Sequence, residues 1–381
     1  SLFHHDGIAV AVSGAEFYTI TAAAGSNLIG SVALNTQPAV CVSNGTGGSQ
    51  IIVISAGFGY IYNTTTGVLA AISDTDFPAN AVTAAFSDGY FLVLKRASRS
   101  FQFSALFDGT SWAAGDVAEK SQTPDNIRQL VVNHKEVWLF GSKTTEVWYN
   151  TGDATTPFVP IQGVLIEHGI GPIWSAVKID NSILWIGQDE HGIGQAWRAD
   201  GYIPTRFSNH AVEQMWAGYA SIDDAIAWGY QDRGHSFYVV TFPDAKATWA
   251  YDVATGMWHE RAYLDDGTLT EHLSRYHTYA FNKHLVGSRA SGVIYEQSAT
   301  KYSDDGAAIQ RVRRTPHLSS EQRIVLYDRF QLDLQPGVGL TSGQGSAPLV
   351  MVRVSRDGGY TWGNERTMAV GAIGAYKTRA I

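Results

Sequence analysis

Short apolar runs, each cut off by a turn carrying Asp, Asn or Gly, recur along most of the chain. The most apolar are "IIVISAG" from Ile51, "YFLVLK" from Tyr90, "VWLFGS" from Val137, "ILWIGQ" from Ile183, "FYVVTF" from Phe237 and "HLVGS" from His284. Runs this short, without a polar face, predict strands buried on both sides. Half-polar segments ending in a turn stand ahead of them: "AVTAAFSDG" (81–89), "IRQLVVNHK" (127–135), "SAVKIDNS" (175–182), "AIAWGYQDRG" (225–234) and "YHTYAFNK" (276–283). A third segment follows, closing on an aromatic residue and a polar turn, with Tyr62, Phe107, Tyr149, Trp197 and Tyr251 marking the place. The whole unit returns roughly every 45 residues, as five complete copies and two partial ones.

Repeated strands with one aromatic and one Gly-bearing turn per unit predict an all-β chain built as a β-propeller of six or seven blades, since each sheet then buries both faces against its neighbours. A β-sandwich also alternates, but it has no reason to repeat at this period. Central strands are expected at 51–56, 90–95, 137–141, 183–187 and 237–242, in successive blades. The amino-terminal "IAVAVSGAEFYTI" is expected to be a unit without its first strand, and no stretch has a convincing helical period. From Arg323 the pattern changes. "RIVLYDRFQLDL", a Gly/Ser-rich "QPGVGLTSGQGS" and "PLVMVRVSRDGGYTW" predict a long hairpin. The expected division is therefore a propeller over 1–318 and a C-terminal β-hairpin or small β domain over 319–381.

Composition sharpens this picture. Charged residues make up only 16% of the 381 positions, aromatics reach 12% and there are 39 glycines, the balance of a turn-rich β protein. A net charge of −8 argues against general nucleic-acid binding, which needs a basic face to displace counterions. One cysteine, Cys41, leaves no intramolecular disulfide framework. No apolar run approaches the roughly 18 residues of a membrane span, so membrane insertion is not expected, and no signal-peptide pattern opens the chain. The abrupt strand-like start and end lead us to expect a fragment, lacking a natural N-terminal extension.

Candidate chemistry is sparse. "SRDGGYTW" fits the Asp-box of sialidases and other propellers, with Ser355, Asp357, Gly359, Thr361 and Trp362 in the motif positions. Its physical content is a turn: Asp357 accepts backbone N–H bonds, the glycines take positive φ and Trp362 packs back. A retaining sialidase would add an arginine cluster, a Tyr nucleophile and its carboxylate partner, and none of these is marked by its neighbours. "EHGIG" occurs at 167–171 and 190–194, offering His168 and His191 as metal ligands or, more simply, glycines for turns. "EHLSRYH" places His272 and His277 near Glu271 without helical metal-site spacing, which predicts a solvated loop. In "RVRRTPH", strand alternation would put Arg311 and Arg313 on one face and Arg314 on the other, a candidate partner contact. Nothing calls for a cofactor or a metal.

The stretch "VWLFGSKTTEVWYNTGDATTPFVPIQGVLIEHGIGPIWSAVKIDNSILWIGQDEHGIGQAWRADGY" (137–202) resembles the tail-hub, or nozzle, proteins of short-tailed bacteriophages, also called packaged-DNA stabilisation proteins. "ATWAYDVATGMWHERA" (247–262), "IQRVRRTPHL" (309–318), "FQLDLQPGVGL" and "SRDGGYTWGNER" extend the resemblance over nearly the whole chain. The resemblance implies a virion component without catalysis, assembled in the host cytoplasm. It implies a homo-oligomeric ring, expected to be sixfold, below the portal and adaptor. That ring would continue the DNA channel without reading sequence and would hold the tail needle and tailspikes. The alternative from another class is a glycan-binding or sialidase-like propeller of a tail fibre.

Overall fold

The computed structural model describes residues 1–378 apart from 190, 317, 319, 322 and 324. The chain divides into two compact units, Ser1–Gln310 and Arg311–Ile381. The junction thus falls just before the basic stretch, whereas the sequence pattern put it after residue 318.

The first unit is a seven-bladed β-propeller. Blades 1 to 5 are four-stranded antiparallel meanders over residues 2–31, 40–71, 81–119, 127–166 and 177–206. Blade 6 (226–271) has five strands and blade 7 (274–297) three. The first strands of successive blades pack side by side around the axis, and that of blade 7, Ser274–Ala280, closes on that of blade 1, Leu2–His5. The predicted central strands appear as Gln50–Ser55, Tyr90–Lys95, Glu136–Gly141, Ser182–Gln188 and His235–Phe242, each second in its own blade.

Two-residue periodicity explains why those strands are apolar throughout. In blade 4, Val137 and Leu139 point into a core shared with blade 3, while Trp138 and Phe140 point into the next core, with Ile183 and Trp185 of blade 5. Aromatic rings bridge the seams: Phe101 and Trp148 lie 5.9 Å apart edge to face, and Phe140 and Trp185 are 5.3 Å apart. Tight turns join first to second strands, as at Asp88 and Gly89 with φ of 45° and 93°, a conformation that Asp tolerates and Gly adopts freely.

Several expectations need correction. Blade 1 does own a first strand: Leu2–His5 pairs with Ile8–Ser13 through the Asp6-Gly7 turn, and the two histidines had hidden its apolar character. An α-helix spans His210–Ala217, capped by Asn209, whose side chain accepts from the Val212 N–H. Val212 and Trp216 face the core one turn apart. Phe107 lies in the turn after the third strand of blade 3. Residues 311–316 form no strand; they are exposed, adjacent like charges repel, and Pro316 cannot donate to a ladder.

A buried polar network ties blade 3 to blade 4. Lys120, in the connection between them, is fully enclosed and forms an ion pair with Asp125. Its Nζ also donates to Thr144 Oγ1 at 2.7 Å and to the Thr144 carbonyl at 3.2 Å. Glu146, equally buried, accepts from the Gln122 N–H at 2.9 Å and from Trp148 Nε1 at 3.0 Å. At one mouth of the central tunnel Trp174 Nε1 donates to Gln37 Oε1 at 3.0 Å. Trp174 lies between blades 4 and 5 and Gln37 between blades 1 and 2, so this bond crosses the axis.

In the second unit Leu349–Val352 pairs with Arg366–Ala369, and the Asp-box lies between them. Over 323–334, where a partner strand was expected, the described residues form a single bridge position at Leu332 and no strand. No helix among the described residues is long and apolar enough to cross a membrane.

Candidate functional site

The Asp-box is a turn held by its own side chains. Ser355 Oγ donates to Asp357 Oδ1 at 2.8 Å and accepts from the Gly359 N–H at 2.7 Å. Asp357 Oδ1 also accepts from the Thr361 N–H at 2.8 Å, and Oδ2 accepts from the Thr361 hydroxyl. These bonds, those from Thr361 above all, hold the Asp357 carboxyl down at about 2. Gly358 and Gly359 take φ of 75° and 98°, and Trp362 leans back to within 3.9 Å of where a Cβ on Gly359 would stand. The carboxylate thus accepts three hydrogen bonds within its own turn. The Arg314 guanidinium lies 5.4 Å from the centroid of the Trp362 ring.

Arg311, Arg313 and Arg314 are all exposed. No carboxylate pairs with them among the described residues, and Arg313 Nη1 reaches only the neighbouring Val312 carbonyl at 3.4 Å.

The two "EHGIG" copies occupy different structural positions. At the first, Thr145 Oγ1 donates to the His168 carbonyl at 2.8 Å and Trp185 Nε1 to the Gly169 carbonyl at 3.1 Å, while Ile170 is buried. A Cβ on Gly169 would meet the Gly141 carbonyl at 2.5 Å, so the glycine permits close backbone packing. The His168 ring stacks on Trp197 at 3.9 Å, and burial lowers its pKa. At the second copy, the backbone N–H groups of His191 and Ile193 donate to Asp189 Oδ1 at 2.9 and 2.8 Å. Glu190 lies outside the described residues. No group of three or more potential ligands able to hold a metal occurs among the described residues.

The expected solvated loop at "EHLSRYH" is instead a packed joint between blades 6 and 7. Glu271 Oε1 accepts from Arg275 Nη2 at 3.0 Å and lies 3.4 Å from Arg289 Nη1, which also donates to Thr270 Oγ1 at 2.7 Å. Burial, reinforced by Arg261 and Arg289, depresses His272 to about 4. His277 stacks on Trp228 at 5.2 Å and sits 3.0 Å from His284; burial and that neighbour depress it to about 4 as well. Charges four residues apart were legible in "EHLSR"; their burial was not, because Arg289 arrives from elsewhere in the sequence.

A tyrosine nucleophile would need an activated phenol. The Tyr–carboxylate pairs found do the reverse: the Glu136 carboxylate, 2.5 Å from the Tyr202 hydroxyl, raises that phenol to about 12, and Glu16 raises Tyr18 in the same way.

Residues 3–302 match the family described as bacteriophage P22 Gp10, beta-propeller, and residues 310–381 match its beta-sandwich counterpart. The chain belongs to the bacteriophage P22 Gp10 family. The two Gp10 matches parallel the two compact units, and they account for the propeller and for a small β domain after it. No curated protein matches the chain. Solved structures that resemble it include the computationally designed Ika8 protein, at TM-score 0.44 and 14% identity, covering 77% of this chain and 81% of that one. The N-terminal domain of Nup159 gives a TM-score of 0.43 and 7% identity, with coverage of 74% and 83%. Membership of the Gp10 family makes this a phage structural protein.

Proposed function

We propose that the chain is a tail-hub subunit: several copies, six on the family resemblance, form a ring below the portal and adaptor. The ring continues the DNA channel, retains the packaged genome and holds the tail needle and tailspikes. The observation that carries this reading is the Gp10 match through both units of the chain.

Physical features support it. The Gln37–Trp174 hydrogen bond crosses the mouth of the propeller's own tunnel, so a duplex would run between copies rather than through one. With a charge of −8 per copy, the wall of such a channel gives phosphates little to grip. The rival glycan-cleaving reading gains nothing from the Asp-box, whose aspartate is committed to its turn.

The test is a particle assembled without this protein. Heads should fill and then lose their DNA, raising the ratio of empty to full heads, and purified wild-type tails should contain several copies by quantitative mass spectrometry. Full heads that stay full without it, or tails that lack it, would overturn the assignment.

A further inference from the structure

The first-to-second and third-to-fourth turns of every blade lie on the same face of the propeller, because strands in a meander alternate in direction. Across blades 2 to 6 the third-to-fourth turn repeats one feature, a large apolar side chain open to solvent. Val68, Ile203 and Met257 each begin a fourth strand, Phe107 occupies the turn of blade 3, and Tyr149 stands near the end of the third strand of blade 4. Ile203 is 71% exposed and Met257 63%. Scattered apolar residues on a surface are ordinary; an exposed apolar side chain at or beside this turn in each of five consecutive blades is a pattern, although in blade 4 the residue that begins the fourth strand, Phe158, is itself buried.

Nearer the axis the turns on this face are acidic, with Asp6, Asp88, Asp180 and Asp232 in first turns and Asp200 ending the third strand of blade 5. Asp88 is paired with Lys135, Asp180 with Arg198 and Glu296 with Lys283, so Asp6, Asp200 and Asp232 are the aspartates of this group without a lysine or arginine partner among the described residues, with Arg233 beside them. No ion pair involves Asp200 or Asp232 among the described residues. A complementary surface would be basic, with apolar residues interleaved. Residues 311–318 have that composition: Arg311, Arg313 and Arg314 alternate with Val312, 55% exposed, and Leu318 follows at 65%.

We propose that this acidic, apolar-rimmed face of one copy docks the 311–318 segment of a second copy. The inference rests on the homo-oligomeric reading above and names its mating surfaces. Donor segment and acceptor face are different parts of the molecule, so the contact is heterologous and can close a ring by rotation. It also places cations where copies that each carry −8 would otherwise repel.

Cysteine pairing tests this on the full chain. Ile203→Cys in one population and Val312→Cys in another are mixed at low ionic strength and mildly oxidised; the half-buried Cys41 is present in both, so its contribution is read from each variant alone. The mixture should give a disulfide-linked pair of chains about tenfold above either variant alone, and Arg311→Glu/Arg313→Glu/Arg314→Glu should remove the excess without moving the melting temperature. No excess over the single variants overturns the contact. So does a dilute Ile203→Cys/Val312→Cys variant that closes within one chain, since the segment would then cover its own propeller. Multiple copies in tails without this cross-link would leave the hub reading standing and sink only the docking, whereas absence from tails would sink both.

Discussion

Within the propeller Phe91, Phe140, Trp185 and Tyr238 are almost wholly enclosed, whereas past Arg311 Leu326 is 85% exposed and Tyr360 91%. Both regions are rich in large apolar residues, yet only the first encloses them. Each propeller blade offers alternate side chains to two neighbours, so both faces of its second strand find a core. The second unit keeps its local shape by other means: a four-residue strand pair and a turn whose hydroxyls and carboxylate bond to one another. Burial specifies the first region and hydrogen bonds specify the second, and the two should respond differently to the same kind of change.

The largest contrast should come from truncating aromatic residues. Phe140→Ala removes a ring shared by blades 4 and 5 and should cost the propeller about 3–5 kcal/mol, read by denaturant unfolding. Tyr360→Ala or Leu326→Ala should stay within about 0.5 kcal/mol, as for other exposed positions. A large effect at Leu326 would break the comparison. Next comes Lys120→Met, which leaves the half-buried Asp125 without its fully enclosed partner; on the order of 3 kcal/mol should be lost from the propeller alone.

Acid should also act on the propeller first. His272 and His277 are held neutral when folded, so the unfolded chain takes up their protons more readily and stability falls as pH drops. The loss begins near the ordinary histidine value of 6.5 and runs to about 4, reaching up to roughly 3 kcal/mol for His272. Melting temperatures across that range should drop less in a His272→Gln variant; an unchanged slope would mean the seam is already open to water. The smallest effect is expected from Asp357→Ala. Amide exchange should quicken at 359–361 while the propeller transition stays put, and no sialoside should be hydrolysed by either form above a protein-free control.

Legibility followed the same line between burial and local bonding. Ile51 to Ser55, Tyr90 to Leu94 and Val137 to Phe140 announced buried strands because both faces of each are apolar, and the Asp-Gly turns announced where they reverse. The helix His210–Ala217 was hidden by its length, although Asn209 ahead of Val212 and Trp216 was a readable cap and stripe. Leu2–His5 was hidden because His4 and His5 do not look like strand residues. Alternation in "RVRRT" suggested a strand where none forms, since a single apolar residue, Val312, among three arginines gives a strand almost nothing to bury. Of the Glu271, Arg275 and Arg289 joint only the charge spacing could be seen: its burial and its third member exist only once blades 6 and 7 are side by side.

The meeting of blade 7 with blade 1 has a mechanical meaning. Six of the seven seams join blades that the chain also links directly, so covalent continuity and packing reinforce each other. The seventh is a clasp, made by the first strands of the two end blades packing together and by a small cluster around Ala9, Ala280 and Leu285, with no strand shared across it. A tensile load drawing the first and last blades apart would fall on that clasp, and the propeller would unroll from there like a bracelet.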